Sequence, residues 1–152
     1  MSPKRKRNAM TDTDRITKTI FIKASRETVW SFLTDKDKLG AWYHPAEADL
    51  AAGEDYALTT TADDGATVRL ITGRVLTSDA PTRLVTTFVI GPFGGRETVV
   101  TWVLDDVAGG TRLTLTHDGI AEAAGAEPLG LLMALDNGWD EHLGDLRKVA
   151  GD

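Results

Sequence analysis

The alternation of hydrophobic and polar residues predicts a strand early in the chain. Ile16, Ile20 and Ile22 occupy even positions, and polar Thr17 and Thr19 stand between them. A period of two residues is typical of a strand with one buried face and one solvated face. We therefore expect the first element of the fold to be a half-buried strand.

Two short helices are predicted directly after this strand. Ser25 can cap the first helix, which should end near Thr34. Asp35 can cap a second helix that reaches Trp42, and Pro45 then forces the chain out of helical conformation. Both helices are expected to contribute aromatic and aliphatic side chains to one core.

Between residues 47 and 118 the hydrophobic pattern has no helical period, and β-branched residues cluster in short runs separated by turn residues. Short connections favour antiparallel hairpins. Together with the first strand, the pattern predicts a meander of about seven strands. The strands expected in this region are Ala46 to Leu50, Glu54 to Thr61, Thr67 to Thr77, Arg83 to Ile90, Glu97 to Asp105 and Thr111 to His117.

Steps of three and four residues return near the end of the chain and predict an amphipathic helix from Pro128 to Lys148. Its opposite side carries acidic residues such as Asp136 and Asp140, which suit a solvated face. The apolar stripe consists of Leu132, Leu135, Trp139, Leu143, Leu146 and Val149.

These elements predict an α+β fold in which the long helix covers a curved antiparallel sheet. The helix must bury its apolar stripe, and the concave face of the twisted sheet is the large surface available to it. A straight helix on a curved sheet leaves space near its ends. We therefore expect a hydrophobic cavity between the sheet and the C-terminal helix.

Length, charge and cysteine content narrow the class of protein. The 152 residues fit one domain, expected at 15–150 after a disordered basic tail at 1–14 that contains Lys4 to Arg7. The net charge of -6 disfavours nucleic-acid binding, and no apolar run is long enough to insert in a membrane. The absence of cysteine excludes disulfides and thiolate metal sites and fits a cytoplasmic location.

Several segments resemble a known family in their order and spacing. They are Val29-Trp30, Leu33-Thr34-Asp35, Trp42, Gly73-Arg74-Val75, Asp79 to Leu84, Val99 to Leu104, Thr111 to His117 and Gly138-Trp139. The chain resembles, from about Ile16 to Val149, the bacterial domain family named for the activator of the ninety-kilodalton heat-shock chaperone's ATPase. This family belongs to the START-like, birch-allergen-like helix-grip (SRPBCC) superfamily. The resemblance implies a seven-stranded sheet that grips a C-terminal helix around a cavity.

The superfamily includes lipid carriers, cyclases and co-chaperones, so the resemblance leaves the function open. We favour a non-enzymatic protein that binds a small hydrophobic molecule, a lipid or an aromatic metabolite, without a cofactor. The family name offers a second hypothesis, a co-chaperone-like module of a stress response that binds a chaperone or another protein. The expected ligand-binding walls are Trp30, Phe32, Trp42, Tyr56, Leu58, Leu70, Phe88, Trp102, Leu104, Leu115, His117, Leu132, Leu135 and Trp139.

A third hypothesis is an enzyme of the cyclase, dehydratase or hydrolase type. His117 shares the inward face of its strand with Leu113 and Leu115, and it could act with Arg112 or Tyr56. A neutral histidine that is hydrogen-bonded in the core is the favoured interpretation, because no nucleophile or dinucleotide motif accompanies it. No catalytic residue is therefore assigned.

Other polar residues carry weaker hypotheses. His44 is expected at the cavity rim, but it shares no ligand spacing with His117 and His142, so no metal site is assigned. The arginines of the strands, such as Arg69, are expected to be solvated or paired with acidic residues. The loop from residue 91 to 95 carries a Phe93 that is expected to be exposed, and it either links two strands or covers the cavity mouth.

Overall fold

Six strands and four helices make up residues 13–151, the part of the chain that the computed structural model describes. The predicted α+β class is confirmed, and the predicted basic segment Lys4 to Arg7 lies outside the described residues. A 3-10 turn, Gly91–Phe93, follows the fourth strand. In chain order the elements are β1 (Ile16–Ile22), α1 (Arg26–Thr34), α2 (Lys36–Trp42), β2 (Asp55–Thr61), β3 (Thr67–Asp79), β4 (Arg83–Phe88), β5 (Thr98–Val107), β6 (Gly110–Asp118), α3 (Ile120–Ala124) and α4 (Pro128–Gly151).

The strands form one antiparallel sheet in the order β1-β6-β5-β4-β3-β2. From β2 to β6 each strand pairs with the next one along the chain, and β1 pairs with β6. The long helix α4 packs against β1, α1, α2 and α3, and it buries Trp139, Leu143 and Leu146. A curved sheet therefore grips one C-terminal helix.

The prediction of a seventh strand at Ala46 to Leu50 is wrong for the described residues. Ala46 makes one isolated bridge to Leu58, and the chain then turns back toward the two short helices. Leu50 donates its backbone N–H to the Thr34 carbonyl, and the Asp49 carboxylate accepts the backbone N–H of Lys36. Hydrogen bonds to the helix ends replace the ladder that a strand would need.

Side-chain hydrogen bonds cap the N-termini of both short helices, as predicted. The Ser25 hydroxyl accepts the Thr28 backbone N–H at 3.1 Å at the start of α1. Asp35 ends α1 and caps α2, where its carboxylate accepts the backbone N–H groups of Asp37 and Lys38 at 2.9 and 3.0 Å. These bonds satisfy donors that a helix N-terminus otherwise leaves unpaired.

The C-terminal helix begins at Pro128, as predicted, and extends to Gly151, three residues beyond the predicted end. The sequence analysis missed α3, whose five residues are too few to show a helical period. Ile120 and Ala123 of α3 are buried beside α4. Among the described residues no helix is both long and apolar enough to cross a membrane.

The acidic side of α4 is not simply a solvated face. The ammonium of Lys18, on the inward side of β1, lies 2.7 Å from an oxygen of Asp136 and 2.9 Å from one of Asp140. The two carboxylates are one helical turn apart, so one cation can bind both. Burial lowers the pKa of Lys18, but hydrogen bonds to Asp136 and Asp140 outweigh it and leave this pKa above its usual value.

Two register shifts bend the sheet near the candidate site. One lies at Leu58/Thr59 in the β2–β3 pair, and the other lies between Val75 and Thr77 in the β3–β4 pair. Bulges of this kind increase the local twist of a sheet.

Candidate ligand-binding cleft

An aromatic cluster fills most of the space between α4 and the sheet. Trp102 meets Trp139 edge to face at 5.6 Å between ring centroids, and Trp42 meets Trp102 in the same way at 6.1 Å. The remaining internal space is about 30 Å³, room for roughly one water molecule. The hydrophobic cavity predicted between the sheet and the C-terminal helix is not confirmed here, because the aromatic side chains expected to line it occupy the space instead.

A larger open space lies at the outer edge of this cluster. It is an apolar cleft of about 250 Å³ between the middle of α4, the first half of β3 and the segment after β4. Phe88 and Trp139 lie between this cleft and the internal space, because each of the two side chains lines the cleft as well as the internal space. The residues that line the cleft are Tyr43, His44, Leu70, Ile71, Phe88, Ile90, Gly91, Pro92, Leu135, Gly138, Trp139 and His142.

One end of the cleft is formed by three side chains with polar atoms, Tyr43, His44 and His142, which we call the polar corner. The ring centroids of Tyr43 and His142 are 4.5 Å apart, those of Tyr43 and His44 are 4.7 Å apart, and those of the two histidines are 5.5 Å apart. Tyr43 also stacks on Trp42 at 5.0 Å. The sharp turn of the chain after α2 therefore brings His44 beside a histidine nearly one hundred residues later.

The surroundings of Tyr43 and His44 favour the uncharged forms of these two side chains. Burial lowers the pKa of His44, and the nearby imidazole of His142 lowers it further. Burial also raises the pKa of the Tyr43 phenol far above its usual value. The Nδ1 atom of His142 is buried and has no hydrogen-bond partner among the described residues.

His117 lies behind the cleft in a chain of hydrogen bonds. The indole Nε1–H of Trp139 donates to His117 Nδ1 at 3.1 Å, which leaves the ring proton on Nε2 because an indole nitrogen can only donate. His117 Nε2 then donates to the Thr98 hydroxyl at 2.8 Å, and that hydroxyl donates to the Phe88 carbonyl at 2.7 Å. Burial lowers the pKa of His117 from 6.5 to about 3, so the ring is neutral.

This arrangement does not join the groups named in the enzyme hypothesis. Arg112 lies on the outer face of β6, where it donates to Asp105, whereas His117 points into the core. The Tyr56 hydroxyl donates to the Thr87 carbonyl, and burial raises the pKa of Tyr56 to about 12. Both nitrogens of His117 are engaged by protein groups, so neither is available to a substrate.

The predicted wall residues separate into three groups. The cleft contains Leu70, Phe88, Leu135 and Trp139. The internal space contains Trp42, Tyr56, Leu58 and Trp102, together with Phe88 and Trp139. The positions that line neither space are Trp30, Phe32, Leu104, Leu115, His117 and Leu132.

Some cleft residues were missed as walls. His142 lies three residues after Trp139 and seven after Leu135, so the helical period of α4 already placed it on the same side. Gly138 lies on that side as well, and an added Cβ there would meet no atom within 4 Å. The prediction that Phe93 is exposed is wrong, because its side chain is fully buried against Phe88.

A second, wider groove on the outer face of the sheet is less suited to a small ligand. It has a volume of about 890 Å³ and lies open along β2 and β3. Its arginines already have partners, since Arg69 donates twice to Glu47 and Arg74 donates to Asp55. No group of three metal-ligating side chains occurs in the described part of the chain.

The antiparallel sheet that grips a C-terminal helix places the protein in the START-like helix-grip class. A family model, described as Activator of Hsp90 ATPase homolog 1-like protein, matches residues 23–151. The match spans most of the sequence, and the chain belongs to this family. No curated protein matches the chain.

Solved structures show the same fold at low identity. CalU16 from Micromonospora echinospora is 24% identical, with a TM-score of 0.71 over 90% of this chain and 75% of CalU16. The AHSA1-like protein from Aeromonas hydrophila is 24% identical, with a TM-score of 0.67 over 88% of this chain and 90% of that protein. DynU16, from the dynemicin biosynthetic locus, is 22% identical with a TM-score of 0.72, and the match covers 89% of this chain but 46% of DynU16.

Proposed function

We propose that the protein binds one small hydrophobic molecule in the cleft between α4, β3 and the segment after β4. The observation that carries this proposal is an open apolar space of about 250 Å³ with a rigid aromatic floor. Phe88 and Trp139 form that floor, and their rings, 6.0 Å apart, are held by the core behind them. Preformed apolar clefts with a few polar groups at one side are typical of small-molecule sites.

The size and walls of the cleft favour a compact ring system. Its volume lies just below the range of roughly 300 to 1,000 Å³ that is usual for sites of drug-sized ligands. Aromatic walls gain from ring contacts as well as from burial. At ligand efficiencies of roughly 0.3 kcal/mol per heavy atom or somewhat more, a two-ring molecule is expected to bind with a Kd of about 0.1–1 mM.

The test is an amide NMR titration of the wild-type protein with separate pools of fatty acids, sterols, flavonoids and polyketide-like aromatics. We expect saturable shifts for residues 135–142 of α4 and 90–92 after β4. Shifts at other places only, or none with any pool, would contradict the proposal.

A matched pair of variants locates the site. Gly138→Leu places a side chain at the cleft wall, where an added Cβ has open space, and we expect it to abolish the shifts. Gly130→Leu is the control, since an added Cβ at Gly130 also has open space and the residue lies outside the cleft. Equal binding by both variants would place the ligand elsewhere.

A further inference from the structure

The polar corner is the one place in the cleft lining where ionisable side chains occur. Tyr43, His44 and His142 stand together at one end, and the rest of the lining is hydrocarbon, glycine, proline and the indole of Trp139. A hydrophobic ligand that fills the apolar part therefore ends beside two imidazoles and a phenol. A purely apolar molecule would bury these groups without giving them hydrogen-bond partners.

The hydrogen-bonding state of the polar corner contrasts with that of the buried histidine behind it. His117 has protein partners at both ring nitrogens. His142 has none at Nδ1 among the described residues, although that atom is buried. A buried polar atom without a partner costs about 1–3 kcal/mol, so the protein satisfies the imidazoles of the polar corner less fully than that of His117.

Among the described residues, the cleft lining has no acidic side chain beside the polar corner, so an anion bound there would meet no like charge from the lining. β3 contributes Leu70 and Ile71 to the cleft, and the segment after β4 contributes Ile90, Gly91 and Pro92. None of these side chains is ionisable. On α4 the adjacent Glu141 is exposed, and Tyr56 of β2 is the ionisable group that acts on Tyr43.

We propose that the polar corner binds the carboxylate of the ligand, so that the cleft takes a compact hydrophobic acid. This inference rests on the proposed function and adds the chemical class of the molecule. A carboxylate beside His44 and His142 favours protonation of an imidazole, and the charged pair that results forms short, strong hydrogen bonds. Binding of the anion is therefore coupled to the uptake of a proton by the protein.

The experiment compares 2-naphthoate with 2-naphthamide, which has the same ring system and no charge. Affinities are measured by calorimetry at about pH 8 and about pH 6, a range in which imidazoles titrate and the naphthoate remains ionised. We expect the affinity for 2-naphthoate to rise about tenfold at the lower pH and that for 2-naphthamide to change less than twofold. Calorimetry in two buffers of different ionisation enthalpy should show about half a proton taken up per naphthoate, since a tenfold change over two pH units corresponds to that average uptake.

Variants assign the effect to the polar corner. In His44→Leu/His142→Leu we expect the pH dependence for 2-naphthoate to vanish, so that its affinity, like that for 2-naphthamide, is the same at both pH values. If that variant does not fold, the proton count on the wild-type protein decides the question alone. Naphthoate that binds without proton uptake and no better at pH 6 overturns the inference while the proposed function stands. Failure of both compounds to bind in the cleft contradicts the proposed function and this inference together.

Discussion

Gly73 marks the closest approach between β3 and the chain at the end of β4. A Cβ added to Gly73 would lie 2.2 Å from the Thr87 carbonyl oxygen and 2.7 Å from the Tyr56 ring. The carbonyl is backbone, and the Tyr56 hydroxyl is bonded to it, so neither neighbour can move freely. We expect Gly73→Ala to lower the free energy of unfolding by about 2–3 kcal/mol, measured by urea denaturation.

Gly144→Ala is the matched control for that change. Gly144 lies inside α4, and an added Cβ would meet no atom within 4 Å. Alanine has the higher helix propensity, so this variant should raise the free energy of unfolding by about 0.5–1 kcal/mol. Similar effects in the two variants would show that backbone entropy, and not the contact at Thr87, determines the importance of Gly73.

His117 gives the stability a defined pH dependence. Its pKa is about 3 in the folded protein and near 6.5 when exposed, so the unfolded chain binds the proton first. The stabilisation due to neutral His117 is complete above about pH 6.5 and decreases as the pH falls toward 3, by up to about 1.4 kcal/mol per pH unit. Urea denaturation between pH 5 and 7 should show this slope, and His117→Gln should lack it.

The ring signals of His117 provide an independent check. In NMR spectra they should not titrate between about pH 5 and 8, because the ring remains neutral over that range. A His117 signal that titrates near pH 6.5 would contradict the hydrogen-bond chain to Trp139 and Thr98.

Sequence patterns predicted individual residues well where one local rule decided the outcome. Ser25 and Asp35 cap helices as expected, because capping depends on the residue type and the next three positions. The burial of Phe93 was missed, since it depends on packing against Phe88 and α3 that no local pattern shows. The pairing of His44 with His142 is likewise a product of the tertiary fold.

At the scale of elements, α4 is anchored unevenly. Its buried residues, Trp139, Leu143 and Leu146, all lie at the middle of the helix or beyond it, whereas Leu131, Leu132 and Leu135 of the first half are only partly buried. The ion pairs of Lys18 with Asp136 and Asp140 hold the helix to β1 near its middle. The first half of α4 is therefore held by less buried apolar surface than the second half.

Hydrogen exchange should show this gradient directly. We expect amides 132–138 to exchange faster than amides 143–147, because opening of the first half exposes less apolar surface. Lys18→Met should speed exchange in the first half further and leave the second half unchanged. Uniform protection along α4, or an equal effect of the variant on both halves, would show that the helix opens as one unit.

The order of the strands was predictable because turn residues separate the β-branched runs. β2 and β3 begin within one residue of their predicted starts. The error at Ala46 to Leu50 arose because an extended segment of alternating apolar and acidic residues can bond either to a strand or to helix ends, and Thr34 and Lys36 provide the helix-end partners here. Local sequence does not distinguish these two partners.

The whole molecule shows why free volume was the least predictable feature. A helix on a curved sheet leaves space, and the sequence analysis placed that space near the helix ends, with Trp42, Trp102 and Trp139 among its walls. Trp42, Trp102 and Trp139 pack together and fill the space under α4 instead of lining it, since side-chain volume is known from sequence but side-chain direction depends on the complete fold. The open space lies instead at the edge, between the middle of α4 and β3.

Ligand binding in this cleft should stabilise the entire fold, because the cleft wall joins α4, β3 and the end of α2 and exists only in the folded protein. At a 2-naphthoate concentration ten times its Kd, linkage gives about 1.4 kcal/mol of added stability, which corresponds to a rise in Tm of roughly 3–6 °C for a domain of this size. Differential scanning calorimetry at about pH 6 measures this rise. Gly138→Leu should show no rise, and Gly130→Leu should show the full rise. A rise of the same size in Gly138→Leu would mean that naphthoate stabilises the protein from another site.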